Sequence, residues 1–183
     1  LAKLLASNGF TANQITLGGF LIGLTAMPLI AIQSYHLALL AIVLNRVADG
    51  LDGALARLMG TTHVGAYLDI VLDFIFYSAV VFAFALAKPD NTLSAALLIF
   101  SFIGTGSSFL AMSVFAEKIG LTSRAQGEKS LYYLSGLSEG FETILVFILM
   151  CLFPDWFVFL AVTFSVLCWI TTFSRIKHSC DLL

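Results

Sequence analysis

The chain has 183 residues, 60% hydrophobic and 11% charged, with nine Lys and Arg against eleven Asp and Glu for a formal charge of −2. An average soluble domain is about 25% charged, so this composition excludes an ordinary soluble fold and reads as a single membrane domain over 1–183. The basic residues form no block, which excludes a nucleic-acid partner.

In chain order, residues 7–14 read as a short polar lead-in lying along the membrane surface. Hydropathy and helix breakers then place helices at 15–33, 37–58, 64–87, 93–116, 131–152 and 155–174. The fold class is therefore all-α: a polytopic membrane protein with six transmembrane helices embedded in the lipid bilayer. Of the basic residues in connectors and ends, Lys88 falls on one side, while Lys3, Arg57, Lys118, Arg124, Lys129, Arg175 and Lys177 fall on the other. The positive-inside rule then puts both termini in the cytoplasm. On the fourth span, the small residues at 104–108 read as a close-packing stripe and also offer a surface for a homodimer. Cys151, Cys168 and Cys180 lack the spacing of a zinc or redox site and read as small apolar residues.

Charges inside spans are the informative anomaly. Asp49 and Asp52 fall on the second helix, Asp69 and Asp73 on the third. Each costs about 2.5–3.5 kcal/mol at mid-depth on insertion scales, so an idle cluster of four is not expected. Spacings of three and four put each pair on one helix face, and a rise of about 1.5 Å per residue brings the two pairs to matching depth near the cytoplasmic ends. Oxygen-only ligands suit hard cations, and four carboxylates suffice for two divalent cations, Mg²⁺ or Mn²⁺. Gly53, Ala56 and Gly65 lie beside these faces, where lack of bulk lets a backbone or a nucleotide approach; close helix packing alone would also account for the glycines.

Asp49, Asp52, Gly53, Ala56, Arg57, Gly65, Asp69 and Asp73 together resemble the signature of the CDP-alcohol phosphotransferase family, with all eight positions present. Asn13 and Thr16 are similar to an Asn-x-x-Thr often found in that family's lead-in. The resemblance implies metal-dependent transfer of a phosphatidyl group from CDP-diacylglycerol or another CDP-alcohol to an unidentified acceptor alcohol. CMP is released, and the reaction belongs to phospholipid biosynthesis. It further implies a bacterial inner-membrane protein with its active site facing the cytoplasm. Asp49, Asp52, Asp69 and Asp73 become metal ligands, with Asp73 also the general base. Asn13, Thr16, Gly53, Ala56, Arg57 and Gly65 become the CDP-binding set. Arg57 reads equally well as an ordinary positive-inside residue.

For the acceptor, the candidates are Lys129, Glu139, Glu142 and Arg46, with an Arg46–Glu142 ion pair expected because both lie at comparable depth. Arg124 reads as an anchor to lipid head groups. His63, just ahead of Gly65, is a further residue that could approach the nucleotide. A rival reading is a divalent-cation transporter or channel, since intramembrane carboxylates also mark ion paths. Against it, residues 74–86 are nearly all apolar and offer no polar route onward. A third reading, a scaffold in which a metal merely ties helices together, leaves Gly53, Ala56 and Gly65 unexplained.

Overall fold

The computed structural model describes residues 1–119 and 140–182. Among them every regular element is a helix. Helix α1 (Ala2–Ser7) leads into α2 (Ala12–Leu24). Thr11 Oγ1 accepts from the Gln14 N–H at 3.3 Å, and the Gln14 side chain accepts from the Thr11 N–H at 3.0 Å. This capping box satisfies free amides at the helix start, so the helix begins at Ala12, three residues ahead of the hydropathy boundary. Helix α3 (Ala26–Ala31) continues the same span after a break at Thr25. Pro28 has no N–H for the Leu24 carbonyl, and its ring crowds that oxygen, which accounts for the interruption.

Helices α4 (Tyr35–Met59) and α5 (His63–Ala87) are 25 residues each. They are joined through Gly60, whose φ of +101° suits a residue without a Cβ. Helix α5 stops ahead of Pro89, with Lys88 held extended at φ −144° and ψ 124° as a residue before proline prefers. A 3₁₀ turn (Pro89–Asn91) opens α6 (Thr92–Lys118), and α7 (Gly140–Leu152) is linked by a second 3₁₀ turn (Pro154–Trp156) to α8 (Phe157–Leu182). The last helix runs past 174 because its polar end contains neither Gly nor Pro.

Among the described residues four segments are long and apolar enough to cross a membrane: Ala12–Ala31, His63–Ala87, Pro89–Ala116 and Pro154–Leu182. Helix α4 matches α5 in length but carries Arg46, Asp49 and Asp52 in its second half. Of the helix expected at 131–152, the part before Gly140 lies outside the described residues.

Helices α2 and α3 pack on α4 and α5, α6 packs on α5 and α8, and α7 packs on α4. In lipid there is little hydrophobic drive between helices, so close van der Waals contact has to hold them. Aromatic rings supply much of it at the end remote from the carboxylates. Phe84 stacks between Tyr35 and Phe157, with ring centroids 5.8 and 4.6 Å apart. Small residues supply the rest along α6. A Cβ on Gly104 would lie 3.1 Å from Thr172 Oγ1 of α8, and one on Gly106 would lie 2.8 Å from the Phe74 ring of α5. These two positions of the 104–108 stripe therefore serve packing inside the chain.

Candidate active site

Helices α4 and α5 bring their carboxylates together from the two sides of the Gly60 turn. One oxygen from each of Asp49, Asp52 and Asp69 lies within 4.8 Å of the others. Asp69 is exposed, Asp49 is half-buried and Asp52 is only 7% exposed. Asp52 Oδ2 is buried with no hydrogen-bond partner. A buried acceptor without a donor costs free energy, and two further carboxylates facing it raise that cost by repulsion. A hard cation fits both observations, since an oxygen-only ligand set with room for water and phosphate is what Mg²⁺ and Mn²⁺ accept.

Asp73 lines a small pocket together with Asp49, Asp52 and Asp69 and has further partners of its own. Its Oδ1 accepts from Arg46 Nη2 at 2.7 Å, and its Oδ2 accepts from the Tyr77 hydroxyl at 2.9 Å and from Arg46 Nη1 at 3.4 Å. Arg46 also lies 3.6 Å from Asp49 Oδ2. The guanidinium is fixed from behind. Asn45 Oδ1 accepts from its Nε and Nη2 at 2.9 and 2.7 Å, and the rings of Phe76 and Tyr77 lie 5.4 and 5.7 Å from its Cζ. Asn45 in turn donates to the Gly19 carbonyl of α2 at 3.0 Å. The expected partner of Arg46 was Glu142; its ion pairs are instead with Asp73 and Asp49. Matching depth did not decide the pairing because a helix residue also has a direction around its axis, and Arg46 faces α5.

A cleft of about 500 Å³ opens beside the three-carboxylate cluster. Asn13, Thr16, Gly53, Ala56, Arg57 and Gly65, the residues singled out for a nucleotide, all line it, as do Asp52 and Asp69. The N-termini of α2 and α5 form its rim. Thr62 caps α5 by accepting from the Gly65 N–H at 3.0 Å. A Cβ on Gly65 would lie 2.9 Å from Asn13 Oδ1 and 3.0 Å from Thr62 Oγ1, so a side chain there would push both polar groups aside. Arg57 extends over Gly53, where a Cβ would lie 3.5 Å from Nη1. His63 is exposed and is not among the lining residues.

The acceptor-side candidates are less fully placed. Lys129 and Glu139, with Arg124, lie outside the described residues. Glu142 is half-buried in the first turn of α7. That turn adjoins the Asp73 network, because a Cβ on Gly140 would lie 3.3 Å from the Tyr77 hydroxyl. Two members of the network, Asn45 and Tyr77, were not singled out from sequence. The Asp73-x-x-x-Tyr77 spacing, which puts both on one helix face, is the signal that would have found Tyr77. Asn45 has only its adjacency to Arg46.

Comparison with known proteins gives the family and the fold. A family model described as CDP-alcohol phosphatidyltransferase matches residues 10–174. The chain is 51% identical over 175 residues to the inner membrane protein YnjF of Escherichia coli (strain K12), covering 95% of this chain and 85% of that protein. It is 39% identical over 87 residues to archaetidylinositol phosphate synthase of Pyrococcus horikoshii, covering 47% of this chain and 46% of that one. The fold is similar, at a TM-score of 0.70 and 20% identity, to the crystal structure of Mycobacterium tuberculosis phosphatidylinositol phosphate synthase with CDP-DAG bound. That likeness covers 97% of this chain and 90% of the other.

Proposed function

This chain belongs to the CDP-alcohol phosphatidyltransferase family and is a membrane-embedded transferase, and we propose that it moves a phosphatidyl group from CDP-diacylglycerol to an acceptor alcohol, releasing CMP. The observation that carries the reading is the shared cleft: the residues fitted to hold a nucleotide and two carboxylates of the cation cluster line one continuous surface. The choice of donor extends to this chain the CDP-DAG held by the M. tuberculosis protein of the same fold.

Each residue then has a task. Asn13, Thr16 and Gly65, at the starts of α2 and α5, admit the cytidine end, and helix N-termini favour the negative pyrophosphate. Gly53 and Ala56 leave room along α4, and Arg57 contacts a phosphate from the rim. Enzymes of this family use divalent metals. Asp49, Asp52, Asp69 and Asp73 would hold two divalent cations, Mg²⁺ or Mn²⁺, which when bound would neutralise charge on the pyrophosphate. Asp73 takes the proton of the acceptor hydroxyl while that oxygen forms a bond to the phosphorus bearing the diacylglycerol group. The bridging P–O bond breaks, and its electron pair leaves with CMP. Arg46 and Tyr77 fix the orientation of Asp73 for this step. Glu142, together with Lys129 and Glu139, is assigned to the acceptor side.

In this reading α4 and α7 complete six spans in a bacterial inner membrane. Both termini and the cleft face the cytoplasm, where the soluble products of CDP chemistry are found.

The test is CMP release from CDP-diacylglycerol by purified protein with Mn²⁺, across a panel of alcohols including glycerol 3-phosphate, inositol phosphate and serine. Release with one acceptor, lowered about 10²- to 10⁴-fold in Asp73→Asn, is the expected result. Folded protein that neither binds the donor nor releases CMP with any acceptor would contradict the donor assignment.

A further inference from the structure

We infer that Asn45 is a positioning residue of the transfer reaction: it ties α2, the helix that carries Asn13 and Thr16, to the Arg46 guanidinium beside Asp73 and Asp49. The inference rests on the transferase reading for the step that Asn45 serves, and on geometry alone for what Asn45 holds.

Adjacent helix residues point about 100° apart and do not ordinarily meet. Arg46 nevertheless folds back along α4, so that its Nε and Nη2 donate to Asn45 Oδ1 at 2.9 and 2.7 Å. That posture leaves Nη1 and the second Nη2 proton for Asp73, at 3.4 and 2.7 Å. Asn45 is itself fixed. It is 5% exposed, and its Nδ2 donates to the Gly19 carbonyl of α2 at 3.0 Å. Small residues make that reach possible: a Cβ on Gly23 would lie 2.9 Å from Asn45 Cγ and Nδ2, and one on Gly19 would lie 2.5 Å from Ala48 Cβ.

Helix packing alone would need only the bond from Asn45 Nδ2 to Gly19. The two bonds at Oδ1 go to a residue of the same helix and add nothing to the contact between α2 and α4. Their consequence is the direction of Arg46. Thr16, three residues before Gly19, lines both the nucleotide cleft and the small pocket that Asn45 and Arg46 share with the four carboxylates. The helix that receives the donor and the arginine beside the base are thus joined through one buried amide. Asn45 makes its bonds to Gly19 and Arg46, so the carboxylates remain available to cations.

Two measurements on the detergent-purified full chain test the assignment. Asn45→Leu keeps a similar shape and removes both links. Its kcat for CMP release at saturating Mn²⁺ should fall about 10- to 100-fold while the donor KM stays within about threefold. On an Arg46→Gln background the same substitution should cost less than about twofold in kcat, because a residue that acts through Arg46 has nothing left to position, whereas a merely structural loss would persist. The second measurement needs no activity. Phenylglyoxal modification of Arg46 in donor-free protein, followed by peptide mass spectrometry, should run about tenfold faster in Asn45→Leu than in wild type, with exposed Arg57 modified at an unchanged rate as the internal reference. An unchanged Arg46 rate, a loss confined to donor KM, or a kcat loss that persists on Arg46→Gln would overturn the inference and leave the transferase reading intact. Should Asn45→Leu fail to fold, Asn45→Ala gives the same comparison. If wild type releases no CMP with any acceptor, the transferase reading fails, and with it the positioning role, while the labelling rate still decides whether Asn45 holds Arg46.

Discussion

The two ends of α5 are built for opposite purposes. Its first part carries Asp69 and Asp73 and contains no buried residue, whereas from Phe76 onward the helix buries Phe76, Val80, Val81, Ala83 and Phe84 against its neighbours. At the open end Asp73 is held by Arg46 and Tyr77, whereas Asp69 faces Asp49 and Asp52 and gains from a cation that offsets their charge. The closed end has no polar site and holds the helix in place. Between them Tyr77 sits with its ring among Phe76, Phe102 and Phe147 and its hydroxyl on Asp73. A group that must hold a reacting geometry is thereby fixed by the rigid half.

Substitutions at the two ends should separate activity from stability. The largest effect is expected for Asp52→Asn, which removes a charge from the buried corner of the cation cluster. CMP release should fall about 10³-fold, near 4 kcal/mol, with a thermal midpoint in detergent that does not fall. Phe84→Ala should do the reverse. It empties the stack between Tyr35 and Phe157 and should cost about 3 kcal/mol of stability, read by thermal unfolding, while the donor KM stays at the wild-type value. A smaller effect, near tenfold, should follow Gly65→Ala, whose Cβ would crowd Asn13 and Thr62. It should appear as a raised donor KM with kcat little changed. If Phe84→Ala altered KM, or Asp52→Asn lowered stability as much as activity, the division of α5 into two ends would fail.

Much of the open end was legible in the sequence. The three- and four-residue spacings pair Asp49 with Asp52 and Asp69 with Asp73 at matching depth; the structure brings one oxygen from each of Asp49, Asp52 and Asp69 within 4.8 Å, and all four line one pocket. The family signature pointed to Asn13, Thr16 and Gly65, which line the cleft although they are far apart in the chain. What hydropathy could not supply was direction around a helix axis. Depth alone suggested that Arg46 meets Glu142, and only the structure shows that its side chain turns toward α5 and meets Asp73. Helix starts were misplaced for a related reason. An apolar window does not register a cap, whereas the Thr11–Gln14 capping box sets the beginning of α2 chemically.

The central claim is that the carboxylate cluster serves group transfer and not ion passage. Its most direct test reconstitutes the protein in liposomes containing CDP-diacylglycerol and, in the same vesicles, follows Mn²⁺ entry with an internal dye and CMP release with the acceptor panel. Mn²⁺-dependent CMP release without Mn²⁺ entry is the predicted result. Mn²⁺ entry that requires Asp52 and proceeds without CMP release would contradict the account.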